Sequence, residues 1–355
     1  MARALELAAH GWGRVHPNPM VGAVVVKDGA IVGEGWHGEY GGAHAEVVAL
    51  RAAGDQARGA TLYVTLEPCA HYGKTPPCTE AILAAGIVRV VYGSSDPDPV
   101  AGGGAAVLVE RGLVATGGVC ADAERRLNVI FHHWHLSATP WVALKLAMSI
   151  DGRISREAGR PARVTGDAAQ AEVHRLRAGF DAILVGVGTA LADDPELTVR
   201  AQLRPRVPPV RVVLDSRARL PGSARMLAGG DGPPVWVFTA ADGSEAGPER
   251  LRTAGADVVT VPSAQEGVDL GAVMQILADR RIRSILCEGG GRLAAGLIES
   301  DRVQRVYLFV APRFLGSRGA AAFPIGHETG AWEMNEVARF GPDVLLVLDR
   351  NRAGD

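Results

Sequence analysis

Short β-branched apolar runs alternate along this chain with segments of helical spacing, and that alternation constrains the fold more tightly than any other feature. "MVGAVVV" (20–26) and "AIVGEGW" (30–36) flank "KDG", a hairpin signal. "HAEVVALRAAG" follows, with Val47, Leu50 and Arg51 at helical spacing and Gly54 as a stop. "TLYVTLE" reads as a strand, "TEAILAAG" as a helix ending at Gly86, and "VRVVYGSSD" as another strand. A helix is expected over 104–111, a strand over 113–119 and a helix over 121–136. Strands and helices in this order build a mostly parallel, helix-covered sheet behind a leading hairpin.

The pattern restarts near residues 137–140. "WVALKLAMS" reads as a strand and "TGDAAQAEVHRLRAG" as a helix with Thr165 as its N-cap. "DAILVG", "VRVVLDS", "VWVFTA" and "DVVTVP" read as strands. A helix near 270–281, the strand "SILCEGG", the helix "GRLAAGLIESD" and the strands "VQRVYLFVAP" and "DVLLVLD" complete the run. The 355 residues thus divide into two α/β domains, 1–139 and 140–355. The stretches 201–210 and 219–234, rich in Pro, Gly and Arg, read as loops.

A net charge of −2 lacks the basic field that a polyanionic partner needs, so no nucleic acid is expected. The longest uncharged apolar runs are strand-sized, so no membrane span is expected. "MARALELAAHGWG" has no signal-peptide core, and the expected location is the cytoplasm. There the four cysteines, Cys69, Cys78, Cys120 and Cys287, would be reduced. Clustered thiols in such a compartment point to metal or catalysis rather than to a disulfide framework.

Two of those thiols sit in "EPCAHYGKTPPC", Cys69 just after a strand and Cys78 just before a helix. Upstream, "HAE" places His44 and Glu46 at the start of a helix. One imidazole and two thiolates suit one tetrahedral Zn²⁺ per chain with its fourth position left for water. The metal lowers the pKa of that water, and helix N-termini at His44 and Cys78 favour negative charge. Glu46, two residues from His44, can take the water's proton and pass it to a leaving amine. The generic zinc-deaminase signature has H-x-E followed by P-C-x-x-C, so the longer spacing here departs from it. The alternative is a coincidental "HAE" and two stray thiols.

"HPNPMVGAVVV", "HAEVVALRAAG", "TLYVTLEPCAHYGKTPPCTEAI", "DPDPVAGGG" and "RRLNVIFHH" together resemble the bifunctional riboflavin-biosynthesis deaminase/reductase family, in the same order and at similar distances. The long cysteine loop is typical of that deaminase branch. The likeness continues through "WVALKLAMSIDGRI", "VTGDAAQAEVHRLRAGFDAILVGVGTALADDPELTVR", "RVVLDSRARLP" and "EGGGRLAAGLIE". It implies a cytidine-deaminase-like three-layer α/β/α domain followed by a dihydrofolate-reductase-like α/β domain. It further implies zinc on His44, Cys69 and Cys78, with Glu46 as proton shuttle. The substrate would be 2,5-diamino-6-ribosylamino-4(3H)-pyrimidinone 5′-phosphate, deaminated and then reduced from ribosyl to ribityl with NADPH. Asn18 would grip the pyrimidine, and His37, His71, Lys74 and Asp96 would meet the base or the ribose phosphate. A homo-oligomer is implied as well. Ala43, Val48 and Asp98 depart from the family's usual proline, asparagine and asparagine, and none belongs to the ligand set.

In the second half three glycines open a helix after a strand, an arrangement that can cradle phosphate. "GVGTAL" lacks the third glycine of a dinucleotide fingerprint, Leu191 standing in its place. The residues alone therefore indicate a phosphate-binding α/β domain. The resemblance assigns NADPH contacts to Ala147, Thr189, Asp193, Ser216 and the segment Gly290, Gly291, Arg292, Leu293, Ala294, Ala295 and Gly296. It assigns substrate contacts to Lys145, Pro161, Arg177, Leu197, Arg200 and Glu288. Pro161 and Arg163 stand where the family has Ser and Trp, which predicts altered cofactor affinity, with Arg163 able to pair with a nucleotide phosphate. Competing readings are a nucleoside or tRNA deaminase, a protein with structural zinc and a nucleotide-sensing second half, and a deaminase with an impaired reductase domain.

Overall fold

The computed structural model describes every residue except 138, 158–159, 161–162, 201–203, 229–231, 242–244, 266 and 352–355. The chain separates into two compact units, Met1–Ala138 with Pro205–Val207, and Thr139–Arg204 with Pro208–Asp355.

The first unit is built on a five-stranded sheet of β1 (Gly22–Lys27), β2 (Ala30–Trp36), β3 (Thr61–Leu66), β4 (Arg89–Ser94) and β5 (Val114–Thr116), in the order β2-β1-β3-β4-β5. The hairpin β1–β2 is antiparallel, β1 is antiparallel to β3, and β3, β4 and β5 run parallel. Its helices are α1 (Ala2–Ala8), α2 (Ala45–Ala53), α3 (Cys78–Ala84), α4 (Gly104–Glu110), α5 (Ala121–Leu127) and α6 (Val129–Leu136). Strand side chains alternate between faces, and the core shows it. Ala23, Val25, Leu62 and Val64 pack with α2 and Ile82 of α3. Their neighbours Val24, Val26 and Tyr63 pack with Ala4 and Leu7 of α1. That division makes three layers. The expected helix over 121–136 is two helices parted at Asn128, and the strand expected over 113–119 is only Val114–Thr116.

The second unit holds a nine-stranded sheet. Its elements in chain order are β6 (Trp141–Ser149), α7 (Asp167–Arg177), β7 (Ala182–Gly186), α8 (Val187–Asp193), β8 (Val210–Leu214), β9 (Val235–Ala240), α9 (Ala246–Thr253) and β10 (Asp257–Val261). After a small ribbon of β11 (Ser263–Ala264) and β12 (Gly267–Val268) come α10 (Leu270–Asp279), β13 (Ser284–Cys287), α11 (Gly291–Glu299), β14 (Arg305–Ala311), β15 (Trp332–Phe340) and β16 (Asp343–Arg350). The order is β10-β9-β8-β7-β13-β6-β14-β16-β15, parallel up to β14 and antiparallel in the last two pairings. Leu184, Val212 and Phe238 face α10 and α11, while Ile183, Val213 and Val237 face the opposite core with Leu251 of α9. The N-cap of α7 is Gly166, not Thr165, and no side chain caps it. Thr165 Oγ1 instead accepts from Gln170 Nε2 at 3.3 Å. No helix among the described residues is long and apolar enough to cross a membrane.

Helix α2, which carries Glu46, lies directly on β2. A Cβ on Gly35 would stand 2.5 Å from the Ala49 nitrogen and 2.7 Å from the Ala45 oxygen. Gly35→Ala is therefore expected to cost about 1–3 kcal/mol through overpacking. Chemical denaturation measures this, and unchanged stability would show that α2 can shift freely.

Candidate active sites

In the first unit every candidate side chain leaves the same end of the sheet. Cys69 follows the C-terminal end of β3, Asp96 that of β4 and His37 that of β2. Asn18 precedes β1, whose first residue Gly22 pairs with Trp36, the last of β2. Carboxyl ends of parallel strands are where α/β sheets bind ligands. A cavity of about 240 Å³ opens there, lined by Asn18, His37, His44, Glu46, Cys69, His71, Lys74 and Asp96. Tyr40, Glu67, Thr75 and Phe131 also line it and were not found by sequence reasoning. They lie outside any recognisable spacing, and only Thr75, inside the cysteine loop, offered a positional hint.

His44, Cys69 and Cys78 bring one ligand atom each within 4.8 Å of one another, and among the described residues they are the one such set. His44 Nδ1 lies 3.1 Å from Cys78 Sγ and 3.5 Å from Cys69 Sγ. Those spacings fit the ligand edge of about 3.5 Å that Zn–N and Zn–S bonds subtend in a tetrahedron. Thr75 Oγ1, 3.2 Å from His44 Nε2, orients the ring from behind. The loop doubles back through Cys78 N–H to Cys69 Sγ at 3.4 Å and Thr79 N–H to the Cys69 carbonyl at 3.3 Å. All cysteines are free thiols.

The hydrogen bond from Cys78 and then that from His44 hold the Cys69 thiol down at about 4, against a burial effect that opposes them. Cys78 is pushed up, first by Cys69 and then by burial. The two thiols are thus driven in opposite directions, a conflict that a divalent cation bound to both sulfurs would remove. Glu46 is 4% exposed, and burial raises its carboxyl. A raised carboxyl is suited to holding a proton in transit.

His37 is buried, which lowers its pKa and keeps it neutral. Its Nδ1 lies 3.1 Å from the Ala43 carbonyl, so Nδ1 carries the proton and Nε2 accepts. The partner of Nε2, at 3.2 Å, must then be the Asn18 NH₂ group. That leaves the Asn18 oxygen and its second N–H for a ligand. Burial pushes Asp96 up to about 6, against the hydrogen bond that its Oδ1 accepts from Asp98 N–H. Lys74 stands over the Tyr40 ring at 4.1 Å.

In the second unit a cleft of about 1350 Å³ is lined by Thr189, Asp193, Ser216, Gly290, Gly291, Arg292, Leu293 and Gly296, with Arg217, Arg219 and Arg302. All but Arg302, which follows α11, leave the C-terminal ends of β7, β8 and β13. Gly289 and Gly290 have φ of +74° and +65°, and a Cβ on Gly290 would meet Thr189 Oγ1 at 2.9 Å. Only glycine makes this turn without strain. Ala294 and Ala295 face the core, and Ala147 lies on β6 away from the lining. Leu197 is buried. Arg163 is exposed and pairs with Asp167 outside the lining, while Pro161 lies outside the described residues.

Lys145, Arg177 and Glu288 form one cluster. Arg177 grips Glu288 through Nε and through Nη2 at 2.9 Å, and Lys145 Nζ lies 3.9 Å from the same carboxylate. The Arg177 fork, expected to contact substrate, thus holds Glu288. Arg200 is exposed and paired with Glu196 at 3.2 Å. Burial pushes Glu288 up, yet the Arg177 charge and hydrogen bond override it and hold the carboxyl at about 2.

Two family models match the chain. "Cytidine and deoxycytidylate deaminase zinc-binding region" covers residues 1–94, and "RibD C-terminal domain" covers 140–346. The riboflavin biosynthesis protein RibD of Bacillus amyloliquefaciens is 39% identical, over 98% of this chain and 94% of its own length. The solved structure of Acinetobacter baumannii RibD is similar at a TM-score of 0.85 and 35% identity, covering 99% of this chain and 98% of that one. A diaminohydroxyphosphoribosylaminopyrimidine deaminase/5-amino-6-(5-phosphoribosylamino)uracil reductase from Thermotoga maritima is similar at 0.83 and 34% identity, covering 99% and 97%.

Two outcomes test these sites. Cys78→Ser should lower zinc content far below one per chain, measured by elemental analysis, and an unchanged load would contradict the ligand set. The lowered Glu288 pKa means its stabilisation is present at neutral pH and is lost as pH falls from 4.5 through about 2. Arg177→Met leaves that buried carboxylate short of charge and should cost about 3–5 kcal/mol at neutral pH. With the pKa now raised by burial, the penalty should shrink toward about pH 5, as Glu288 takes a proton in the folded state. Thermal unfolding across pH reads the trend, and a pH-independent penalty would contradict it.

Proposed function

The chain belongs to the bifunctional riboflavin-biosynthesis deaminase/reductase family and carries both activities; we propose that its two clefts divide them, with 2,5-diamino-6-ribosylamino-4(3H)-pyrimidinone 5′-phosphate as the first substrate. The observation that carries this reading is a metal-ligating set with a buried carboxyl, Glu46, on the wall of a cavity sized for a base.

In the first cleft His44 Nδ1 and the two thiolates would hold Zn²⁺, and the ion supplies a water ionised near neutrality. Three protein ligands leave one coordination position for chemistry, unlike a closed structural site. Glu46 receives the proton from the attacking water and delivers it to the departing amino group, so that ammonia leaves. Asn18, fixed by His37, presents an oxygen and an N–H to the pyrimidine edge. His71 Nδ1 is buried without a hydrogen-bond partner among the described residues, a vacancy that a ligand polar group would fill. Lys74 offers charge to the ribose phosphate.

In the second cleft the backbone turn at Gly289–Gly291 and the start of α11 suit a nucleotide phosphate, and the arginines on the lining add positive charge. NADPH bound there would supply the hydride that converts ribosyl to ribityl. Lys145 and Glu288 bring a buried charge pair to the same end of the sheet, and Arg200, exposed, would exchange its pair with Glu196 for the sugar phosphate. The two thiols must stay reduced, which suits a cytoplasmic enzyme. The family resemblance further suggests a homo-oligomer.

A coupled assay tests the reading. Ammonia release from the diaminopyrimidinone should precede NADPH oxidation and match it mole for mole. Ammonia without NADPH oxidation would sink the bifunctional reading, and ammonia from cytidine or tRNA instead would replace the substrate. Glu46→Gln should keep its zinc yet lose deamination by at least about 10²-fold, the scale of a lost proton carrier. Full activity in that variant would remove Glu46 from its role.

A further inference from the structure

Away from the ligands, Glu124 of α5 is a wholly buried carboxylate that the deamination does not use. Three donors surround it. Ser94 Oγ donates to Oε2, Asn128 Nδ2 donates to Oε1 at 2.8 Å, and His132 Nε2 meets Oε2 at 2.9 Å. Asn128, in the break between α5 and α6, also clamps Met20 at both ends. It accepts from Met20 N–H at 2.8 Å and donates to the Met20 carbonyl at 2.9 Å. Met20 lies two residues after Asn18. Ser94 lies two residues before Asp96, and its carbonyl accepts from Glu67 N–H at 2.9 Å, while Glu67 Oε2 accepts from Asp96 N–H at 3.3 Å. Phe131, beside His132 on α6, forms part of the cavity wall.

One buried polar network therefore ties together the segment carrying Asn18, the segment carrying Asp96 and the helix carrying Phe131. A core needs no such group, because apolar residues of the same volume stabilise a fold as well or better. A satisfied network does supply fixed geometry, since each partner defines the others' positions. We propose that Glu124, Asn128 and His132 are positioning residues of the deaminase: they hold Asn18 and Asp96 at the separation the pyrimidine ribosyl phosphate requires. The inference rests on the deaminase reading of this cavity.

The test uses the full zinc-loaded chain and the diaminopyrimidinone substrate. Asn128→Ala, His132→Phe and His132→Gln are compared for KM and kcat of ammonia release per bound zinc. NADPH oxidation of the separately supplied deaminated intermediate serves as the control. Asn128→Ala and His132→Phe should raise the deamination KM about tenfold, with kcat per zinc changed by less than about threefold, as lost substrate positioning does. NADPH oxidation should not change. His132→Gln, which restores an N–H donor at similar reach, should recover most of the KM. Should Asn128→Ala fail to fold, His132→Phe carries the test, its side chain lying 12% exposed at the margin of the network. A KM per zinc-loaded chain that stays at the wild-type value, with only the melting temperature lowered, overturns the proposal. So does a His132→Gln variant no better than His132→Phe. A wild-type chain that releases no ammonia removes the deaminase reading and this inference with it, whereas an active wild type with unaltered variants removes the inference alone.

Discussion

Everything in the first unit depends on bringing two sulfurs and one imidazole nitrogen within 4.8 Å in a buried place. Three polarisable donors so close would share protons awkwardly, as the opposed shifts of Cys69 and Cys78 show. A divalent cation removes the conflict by stabilising both thiolates. The convergence follows from three backbone features. Helix α2 begins right after His44, β3 ends three residues before Cys69, and the loop folds back so that α3 begins at Cys78. The close seat of α2 on Gly35 fixes Glu46 beside this centre.

The same logic organises the second unit at its own sheet end, with a different currency. There a backbone turn replaces the metal cluster, and a buried ion cluster replaces the thiols. Glu288 directly follows β13 and stays ionised because Arg177 reaches it from the end of α7. The glycine turn begins at the very next residue. On the proposed reading, the nucleotide and the sugar would therefore meet adjacent positions of one strand-to-helix connection.

Much of this was legible in the sequence. Buried strands read as apolar β-branched runs, so the antiparallel β1 and the parallel β3, β4, β7, β8 and β9 announce themselves. The ligand set was legible because its residue types are chemically rare and each falls beside an element boundary. Strand β15 was not legible. Its sequence, "WEMNEVARF", is polar and almost wholly exposed at the sheet edge, so no apolar alternation marks it. The break at Asn128 left no local mark because Arg125 to Leu136 holds no Gly or Pro, while the amide's reason for interrupting the helix lies at Met20, over a hundred positions away. The pairing of Arg177 with Glu288 was not legible because the partner is equally remote. Arg163, expected at the nucleotide, pairs on the surface with Asp167, four residues on. What the sequence did not show rests on long-range or electrostatic contacts; what it showed carries a local, periodic signal.

The account stands on a metal held by one nitrogen and two sulfurs of this chain with one position open. X-ray absorption at the zinc edge of the loaded protein measures that directly. The prediction is a shell of two sulfurs at about 2.3 Å, one imidazole nitrogen at about 2.0 Å and one further light atom from solvent. A closed shell of four protein ligands, or one with fewer than two sulfurs, would contradict it.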